Sequence, residues 1–341
     1  MYDKINREIR LKRRPTGLPD PDDFELIETA IPTPSRGQVL VRNIYMSVDP
    51  YMRARMVDRK SYAPPFQIGE TLSGGAVGQV VTSQNDTFKA GDYVSNFSGW
   101  REWFVSNGGE LVKIDPTLAP MQAYLGTFGM PGLTAYVGLL KVAELKEGER
   151  VFVSAASGAV GSVVCQIARN KGCTVVGSAG SDEKCNWLVR EARIDKAINY
   201  RTAGNLDHAV REALPSGIDV YFENVGGAHL NAALANMRPF GRIAVCGLIE
   251  QYNATSAPQG PSNFAMVIPL RLSIKGFIVS DYMSLTPDFL REMGAWAKAG
   301  TMKWQETIRD GIEQAPQAFI GLFKGENNGK MLVRLGPDQA V

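Results

Sequence analysis

The spacing of apolar residues changes once along the chain, and that change divides it. Between residues 24 and 112, short runs in which apolar and polar positions alternate predict strands at 24–31, 39–48, 76–81, 93–97 and 103–105. Turn clusters such as Pro34-Ser35-Arg36-Gly37 and Lys89-Ala90-Gly91-Asp92 separate them, so this stretch reads as a β-barrel or sandwich. An amphipathic segment at 133–142 then leads into alternating units: strand 151–155, helix 160–171, strand 174–177, helix 183–191, a short strand near 197–200 and helix 206–214. Strand 220–223, helix 230–237 and strand 242–247 continue the series. Strands and helices alternating through short loops imply a parallel sheet covered by helices, that is, an α/β doubly wound domain. A strand at 272–279 extends the sheet, 287–298 reads as a helix, and a last strand at 330–335 is expected to return to the first domain.

Length agrees with two packed units, because 341 residues exceed what a single hydrophobic core usually holds. Hydrophobic residues at 44% and charged residues at 21% belong to an ordinary folded protein and exclude a disordered reading. With 37 Lys and Arg against 35 Asp and Glu, no global field is present to hold a polyanion, so no nucleic-acid partner is expected. The basic run Arg7, Arg10, Lys12, Arg13, Arg14 alternates with Ile9 and Leu11 and reads as a solvated strand edge. It has no apolar core of the kind a secretory leader needs. Apolar windows at 133–145 and 266–279 are interrupted by charge and proline short of the ~20 residues that span a bilayer, so no membrane partner is expected. The four cysteines, Cys165, Cys173, Cys185 and Cys246, form no CxxC pair, which fits reduced thiols and a cytoplasmic address.

The strongest chemical signal is Val151-Phe-Val-Ser-Ala-Ala-Ser-Gly-Ala-Val-Gly161. A buried strand meets small residues, then Gly158 and Gly161, then a helix. Gly158 admits a pyrophosphate close to the backbone, Gly161 lets the helix pack on the strand, and the helix start near Val160 presents free N–H groups. Ala156 stands where the first glycine of the usual fingerprint falls. At the end of the second strand, where NAD sites place an acid, stand Ser178-Ala179-Gly180. Lys184 follows and suits a 2′-phosphate, which favours NADPH, although it also reads as an exposed helix residue. Asp182 opposes that choice unless its place in the first helical turn gives it a capping role.

Val48-Asp-Pro-Tyr-Met-Arg53, Ala155-Ala-Ser-Gly-Ala-Val-Gly161, Gly180-Ser-Asp-Glu-Lys184, Phe222-Glu-Asn-Val-Gly-Gly227 and Gly241-Arg-Ile-Ala-Val-Cys-Gly247 occur in that order. Together they resemble the zinc-independent medium-chain dehydrogenase/reductase family, in its prostaglandin, alkenal and curcumin reductase group. The resemblance implies a GroES-like β-rich catalytic domain at 1–131, completed by 302–341, and a Rossmann doubly wound parallel-sheet domain at 132–301. It implies NADPH contacts at Gly158, Ala159, Val160, Gly161, Lys184, Tyr200, Asn224, Cys246, Gly247, Leu248, Ile249, Tyr252, Phe277, Ile278, Val279 and Asn328. Asn224 reads equally as a helix cap, and Phe277 to Val279 as sheet core.

Zinc-dependent relatives carry a Gly-His-Glu element near the position of Gly69-Glu70 here. This chain has two histidines, His208 and His229, both read as surface helix residues, and no metal is expected. Something else must then steady negative charge on a substrate oxygen while hydride arrives from the nicotinamide. Tyr252 matches the group's active-site tyrosine. Tyr51 matches a substrate-pocket position, although a packing role suits an aromatic equally. The activity implied is NADPH-dependent reduction of the double bond of an enone or alkenal. An NADPH-dependent quinone reductase and a non-catalytic NADPH-binding adaptor are the alternatives. The resemblance also implies a homodimer paired through 272–279.

Overall fold

Alternation in the first third becomes antiparallel sheet: Tyr93–Asn96 buries every second residue, whereas Val39–Ser47, paired on both sides, is buried on both faces. In this computed structural model, which describes residues 5–337, the chain forms two compact units: one runs to Leu125 and resumes at Glu306, the other is Gly126–Gln305. Among the described residues the first unit holds a seven-stranded sheet. Its path is Glu306–Asp310, Lys330–Arg334, Val39–Ser47, Ala76–Ser83, Tyr93–Asn96 and Val112–Lys113, with Trp103–Ser106 paired to Val39–Ser47 off that path. Glu306–Asp310 and Lys330–Arg334 run parallel, and Lys330–Arg334 is antiparallel to Val39–Ser47, so the C-terminal strand does return to the first unit's sheet. The strand Glu306–Asp310 escaped the sequence reading, since Glu-Thr-Ile-Arg-Asp contains a single strongly apolar residue. Under the sheet, Phe24 stacks on Trp100 with ring centroids 5.9 Å apart, and Phe319 meets both edge-on at 6.2 Å.

Of the basic N-terminal run, Arg7 and Arg10 lie on the strand Ile5–Leu11, which pairs antiparallel with Phe24–Ala30, and Lys12, Arg13 and Arg14 follow it. Four of these charges have ion partners: Arg7 with Glu102 and Glu313, Arg10 with Glu8, Arg13 with Asp23 and Arg14 with Asp58. No helix among the described residues is long and apolar enough to cross a membrane.

In the second unit six strands carry the sheet: β1 (Arg150–Val153), β2 (Thr174–Ala179), β3 (Lys196–Asn199), β4 (Ile218–Glu223), β5 (Met237–Val245) and β6 (Ser273–Gly276). Their order is β3-β2-β1-β4-β5-β6 and every pairing is parallel, which is the doubly wound order with its switch point between β1 and β4. Ser181 caps the helix Asp182–Arg190 by accepting from the Lys184 N–H, and Asn205 caps Leu206–Ala213 through His208 N–H. The expected strand at 272–279 shrinks to β6, whose four residues are exposed. Apolar residues beyond it serve other contacts: the Phe277 ring turns inward and meets Phe222 edge-on at 6.3 Å. The amphipathic stretch at 133–142 divides into the helix Met130–Val137 and a π-helical turn, Gly138–Val142.

Candidate functional site

The end of β1 is crowded by design of its small residues. Ala155 takes the left-handed conformation at φ 46°, and Gly158 N–H donates back to the Ala155 carbonyl at 2.9 Å. A Cβ on Gly161 would stand 2.9 Å from Ala156 Cα and 3.0 Å from the Ala155 carbonyl carbon, so only glycine permits the helix Gly161–Asn170 to start this close to the strand. That helix begins one residue later than expected, with Val160 at its cap. Its N-terminus directs a partial positive charge at whatever occupies the space above the turn.

Beyond the end of β2, Asp182 opens the helix Asp182–Arg190, and its carboxylate accepts from Asn199 Nδ2 at 2.7 Å. Lys184 is half-buried. Burial, then the neighbouring Arg201, lower its ammonium below the usual lysine range. Sequence reasoning missed Arg201, which follows Tyr200 in the loop after β3 and meets Lys184 only through the parallel pairing of β2 and β3. The Tyr200 hydroxyl lies over Gly180, 2.9 Å from where a Cβ would stand. Backbone glycine therefore makes room for the phenol.

His229 corrects an expectation. His208 is exposed as read, but His229 is 5% exposed, with its ring edge-on to Tyr200 at a centroid distance of 5.0 Å. The sequence hides this because the first turn of Gly227–Asn236 faces the neighbouring helix and loop rather than solvent. Burial pushes the His229 imidazole down to about 4, so it stays neutral in the folded protein while the unfolded chain takes up a proton below about 6.5. The stability it contributes is complete above pH ~6.5 and declines as pH falls toward 4. Urea midpoints should show a loss of about 2 kcal/mol between pH 7 and pH 5 that is absent in His229→Phe; equal losses in both proteins would refute this.

Around the switch point, Asn224 does not cap a helix. Its Nδ2 donates to the Ser154 carbonyl at 2.8 Å and its N–H to Ser154 Oγ at 2.9 Å. Ser154 Oγ in turn donates to Glu223 Oε1 at 2.9 Å, and the Val225 and Gly226 N–H groups reach the same oxygen at 2.7 and 3.0 Å. Burial raises the Glu223 carboxyl, an effect these donors oppose. After β5, Cys246 is half-buried, and desolvation, then the charge of Glu223, push its thiol up to about 12, so it offers packing and backbone rather than a thiolate. Gly247, Leu248 and the short turn Ile249–Gln251 follow, and the Tyr252 hydroxyl folds back to 3.0 Å from a Cβ position on Gly247. Thus Gly158 to Gly161, Lys184, Tyr200, Asn224, Cys246 to Ile249, Tyr252 and Phe277 to Val279 all belong to the second unit.

Tyr51 and Asn328 belong to the first unit. Tyr51 precedes the short helix Met52–Arg55 and packs, partly buried, against the core cluster that contains Met52, Trp100 and Phe319; burial, then the charge of Asp49, raise its phenol well above the usual range. The Asn328 N–H donates to Thr307 Oγ1 at 2.9 Å. Two residues on, Lys330 Nζ is buried against the Val48 carbonyl at 2.9 Å, Asp49 Oδ1 at 3.0 Å and the Met331 carbonyl at 3.1 Å, while Ser47 Oγ donates to Asp49. No periodicity could reveal a pair 281 residues apart. Among the described residues no group of three or more His, Cys, Asp or Glu side chains is placed to hold a metal ion.

Comparison with known proteins extends over the whole chain. Residues 7–114 match the family model described as the N-terminal domain of oxidoreductase, and residues 159–297 match the one described as zinc-binding dehydrogenase. The NADPH-dependent curcumin reductase of Escherichia coli (strain K12) is 44% identical over 338 residues, covering 98% of this chain and 98% of that protein. Prostaglandin reductase 1 of Bos taurus is 44% identical over 95% of this chain and 97% of its own. The crystal structure of CurA in complex with NADPH from Vibrio vulnificus superposes with a TM-score of 0.92 at 41% identity, covering 97% of this chain and 99% of that one.

Proposed function

The chain belongs to the medium-chain dehydrogenase/reductase family, in the group of the prostaglandin and curcumin reductases, and on that premise we propose that it uses NADPH to reduce the activated carbon–carbon double bond of α,β-unsaturated ketones and aldehydes. The observation that carries this reading is the glycine turn at the carboxyl end of β1, at the switch point of the sheet. A Cβ on Gly161 would fall 2.9 Å from Ala156 Cα, so glycine alone lets the helix Gly161–Asn170 start against the strand and present its N-terminus there, as a dinucleotide's pyrophosphate needs. When bound, NADPH would supply the hydride for the substrate's β-carbon, and a proton taken up at the α-carbon would complete the reduction.

The chain's own residues do the rest. Gly158, Ala159, Val160 and Gly161 contact the pyrophosphate, Gly158 by the close approach its missing side chain allows and the three residues after it with backbone N–H groups. Lys184 and Tyr200 hold the 2′-phosphate. Asn224, Cys246 to Ile249, Phe277 to Val279 and Asn328 complete the nucleotide contacts. The Tyr252 phenol donates to the substrate oxygen as negative charge develops there, and Tyr51 contacts the substrate. In this assignment residues 132–301 form the nucleotide domain, and 1–131 with 302–341 the substrate domain. Loss of NADPH absorbance with a panel of enones, 2-alkenals and quinones tests the activity: turnover of quinones alone, or of nothing, would refute it.

Two variants test the assignments separately. Lys184→Ala should weaken NADPH binding about tenfold while leaving NADH binding within about twofold, because only NADPH carries the 2′-phosphate that the ammonium is proposed to pair with; an unchanged preference removes Lys184 from the site. Tyr252→Phe should lower kcat about tenfold at an unaltered NADPH Kd, since one donor is lost where charge develops. Full turnover by that variant would take the phenol out of the mechanism.

A homodimer paired through β6 is proposed on the exposure of that edge strand and of its apolar neighbours Ile268 and Phe240, which are 80% and 66% exposed. Light scattering that showed only monomer would exclude it. The proposed address is the cytoplasm, which cell fractionation tests.

A further inference from the structure

The contacts that hold the second half of the nucleotide site converge on one side chain, Glu223, that is not itself among the proposed nucleotide contacts. Glu223 closes β4, is fully buried, and carries its carboxyl where three donors meet on Oε1: Ser154 Oγ at 2.9 Å, Val225 N–H at 2.7 Å and Gly226 N–H at 3.0 Å. Two of these donors shape the turn after β4, in which Gly226 and Gly227 take left-handed conformations at φ 92° and 48°. The third, Ser154, receives the Asn224 N–H on the oxygen whose proton it gives to Glu223, so Asn224 is oriented at second hand by the same carboxyl.

The turn is itself the support of the next loop. Carbonyl oxygens of Glu223, Asn224 and Val225 accept from the backbone of Cys246 (2.9 Å), Gly247 (3.1 Å), Ile249 (3.2 Å) and Glu250 (3.1 Å). The segment that carries Tyr252 therefore hangs on backbone which the Glu223 side chain keeps in place. In a doubly wound domain β1 to β3 serve the adenosine half of a dinucleotide and the strands beyond the switch point serve the other half. The network lies on β4 and β5, and it touches the first half only through Ser154.

We propose that Glu223 is a positioning residue for the nicotinamide half of the cofactor, setting Asn224 and the Cys246 to Tyr252 loop together while leaving the adenosine half untouched. The inference rests on the NADPH reading above and deepens it. A carboxamide can present the same oxygen to the same three donors, so Glu223→Gln keeps the arrangement. Glu223→Ala leaves three buried donors without an acceptor and releases the turn.

The test compares two ligands on the full-length protein: NADPH, and 2′,5′-ADP as a probe of the adenosine half alone. Glu223→Ala should raise the Kd for NADPH about tenfold and lower kcat, with the Kd for 2′,5′-ADP within about twofold of the parent. Glu223→Gln should restore NADPH binding to within about threefold of the parent. If Glu223→Ala does not fold, Ser154→Ala removes one donor to Glu223 and the acceptor of the Asn224 N–H, and should show the same asymmetry at about threefold. Equal weakening of both ligands would mean a general structural role and overturn the proposal, as would NADPH binding unaltered by Glu223→Ala. Parent protein that bound neither ligand would instead bring down the NADPH reading itself, and this inference with it.

Discussion

Gly161→Val is expected to bind NADPH at least ~100-fold more weakly than the parent protein, more than 2 kcal/mol of binding free energy, as read by quenching of protein fluorescence on titration. The reason is geometric rather than chemical. A Cβ at this position already falls 2.9 Å from Ala156 Cα and 3.0 Å from the Ala155 carbonyl carbon, and both neighbours are backbone that cannot rotate aside. Valine adds two methyl groups to that collision, so the helix Gly161–Asn170 must move off β1 or the turn must open, and overpacking of this kind costs about 1–3 kcal/mol in stability as well. Either movement withdraws the N–H groups that face the pyrophosphate. Gly158→Ala is the milder comparison, because its Cβ would sit 3.2 Å from the Ala155 carbonyl oxygen, a contact that a few tenths of an ångström relieves. Near-parental affinity in Gly161→Val would show that close packing of helix on strand is not what prepares the site.

The same turn shows how far sequence alone reaches. A strand followed by small residues, two glycines and a helix is a local pattern, and local patterns survive in the sequence: β1 to β5 and the helices between them lie within a few residues of where periodicity puts them. Only the start of β5 departs further, because Phe240 takes a left-handed conformation and bulges the strand between Met237 and Arg242. Edges are less legible. β6 is short because nothing demands that its flanking apolar residues stay extended, and Glu306–Asp310 has almost no apolar residue by which to announce itself. Partnerships across the sequence are not legible at all. That Asp182 is taken by Asn199, that His229 is buried against Tyr200, and that Glu223 gathers three donors depend on which strands become neighbours, which the fold decides.

Lys330→Met should be the most destabilising single change in the first unit, at about 3–5 kcal/mol, because it strands a carboxylate in the interior. The Lys330 and Asp49 side chains are 5% and 9% exposed, and the ammonium has its three hydrogen-bond sites filled by Asp49 and two carbonyls. With lysine gone, Asp49 keeps the Ser47 hydroxyl but loses its counter-charge, and the Val48 and Met331 carbonyls lose a donor. The pair also joins the strand Lys330–Arg334 to the turn that carries Tyr51, so loosening of that turn should raise the KM for an enone even in the folded fraction. Removing the second charge as well separates the causes. Lys330→Met with Asp49→Leu should recover more than half of the lost stability, since no charge is then buried alone, yet it should leave KM high because nothing ties the turn. Urea unfolding followed through the first unit's Trp100 and Trp103 environment reads the first effect and initial rates read the second. A single variant less than about 1 kcal/mol below the parent would mean that water reaches Asp49 and that this ion pair holds neither the sheet nor the turn.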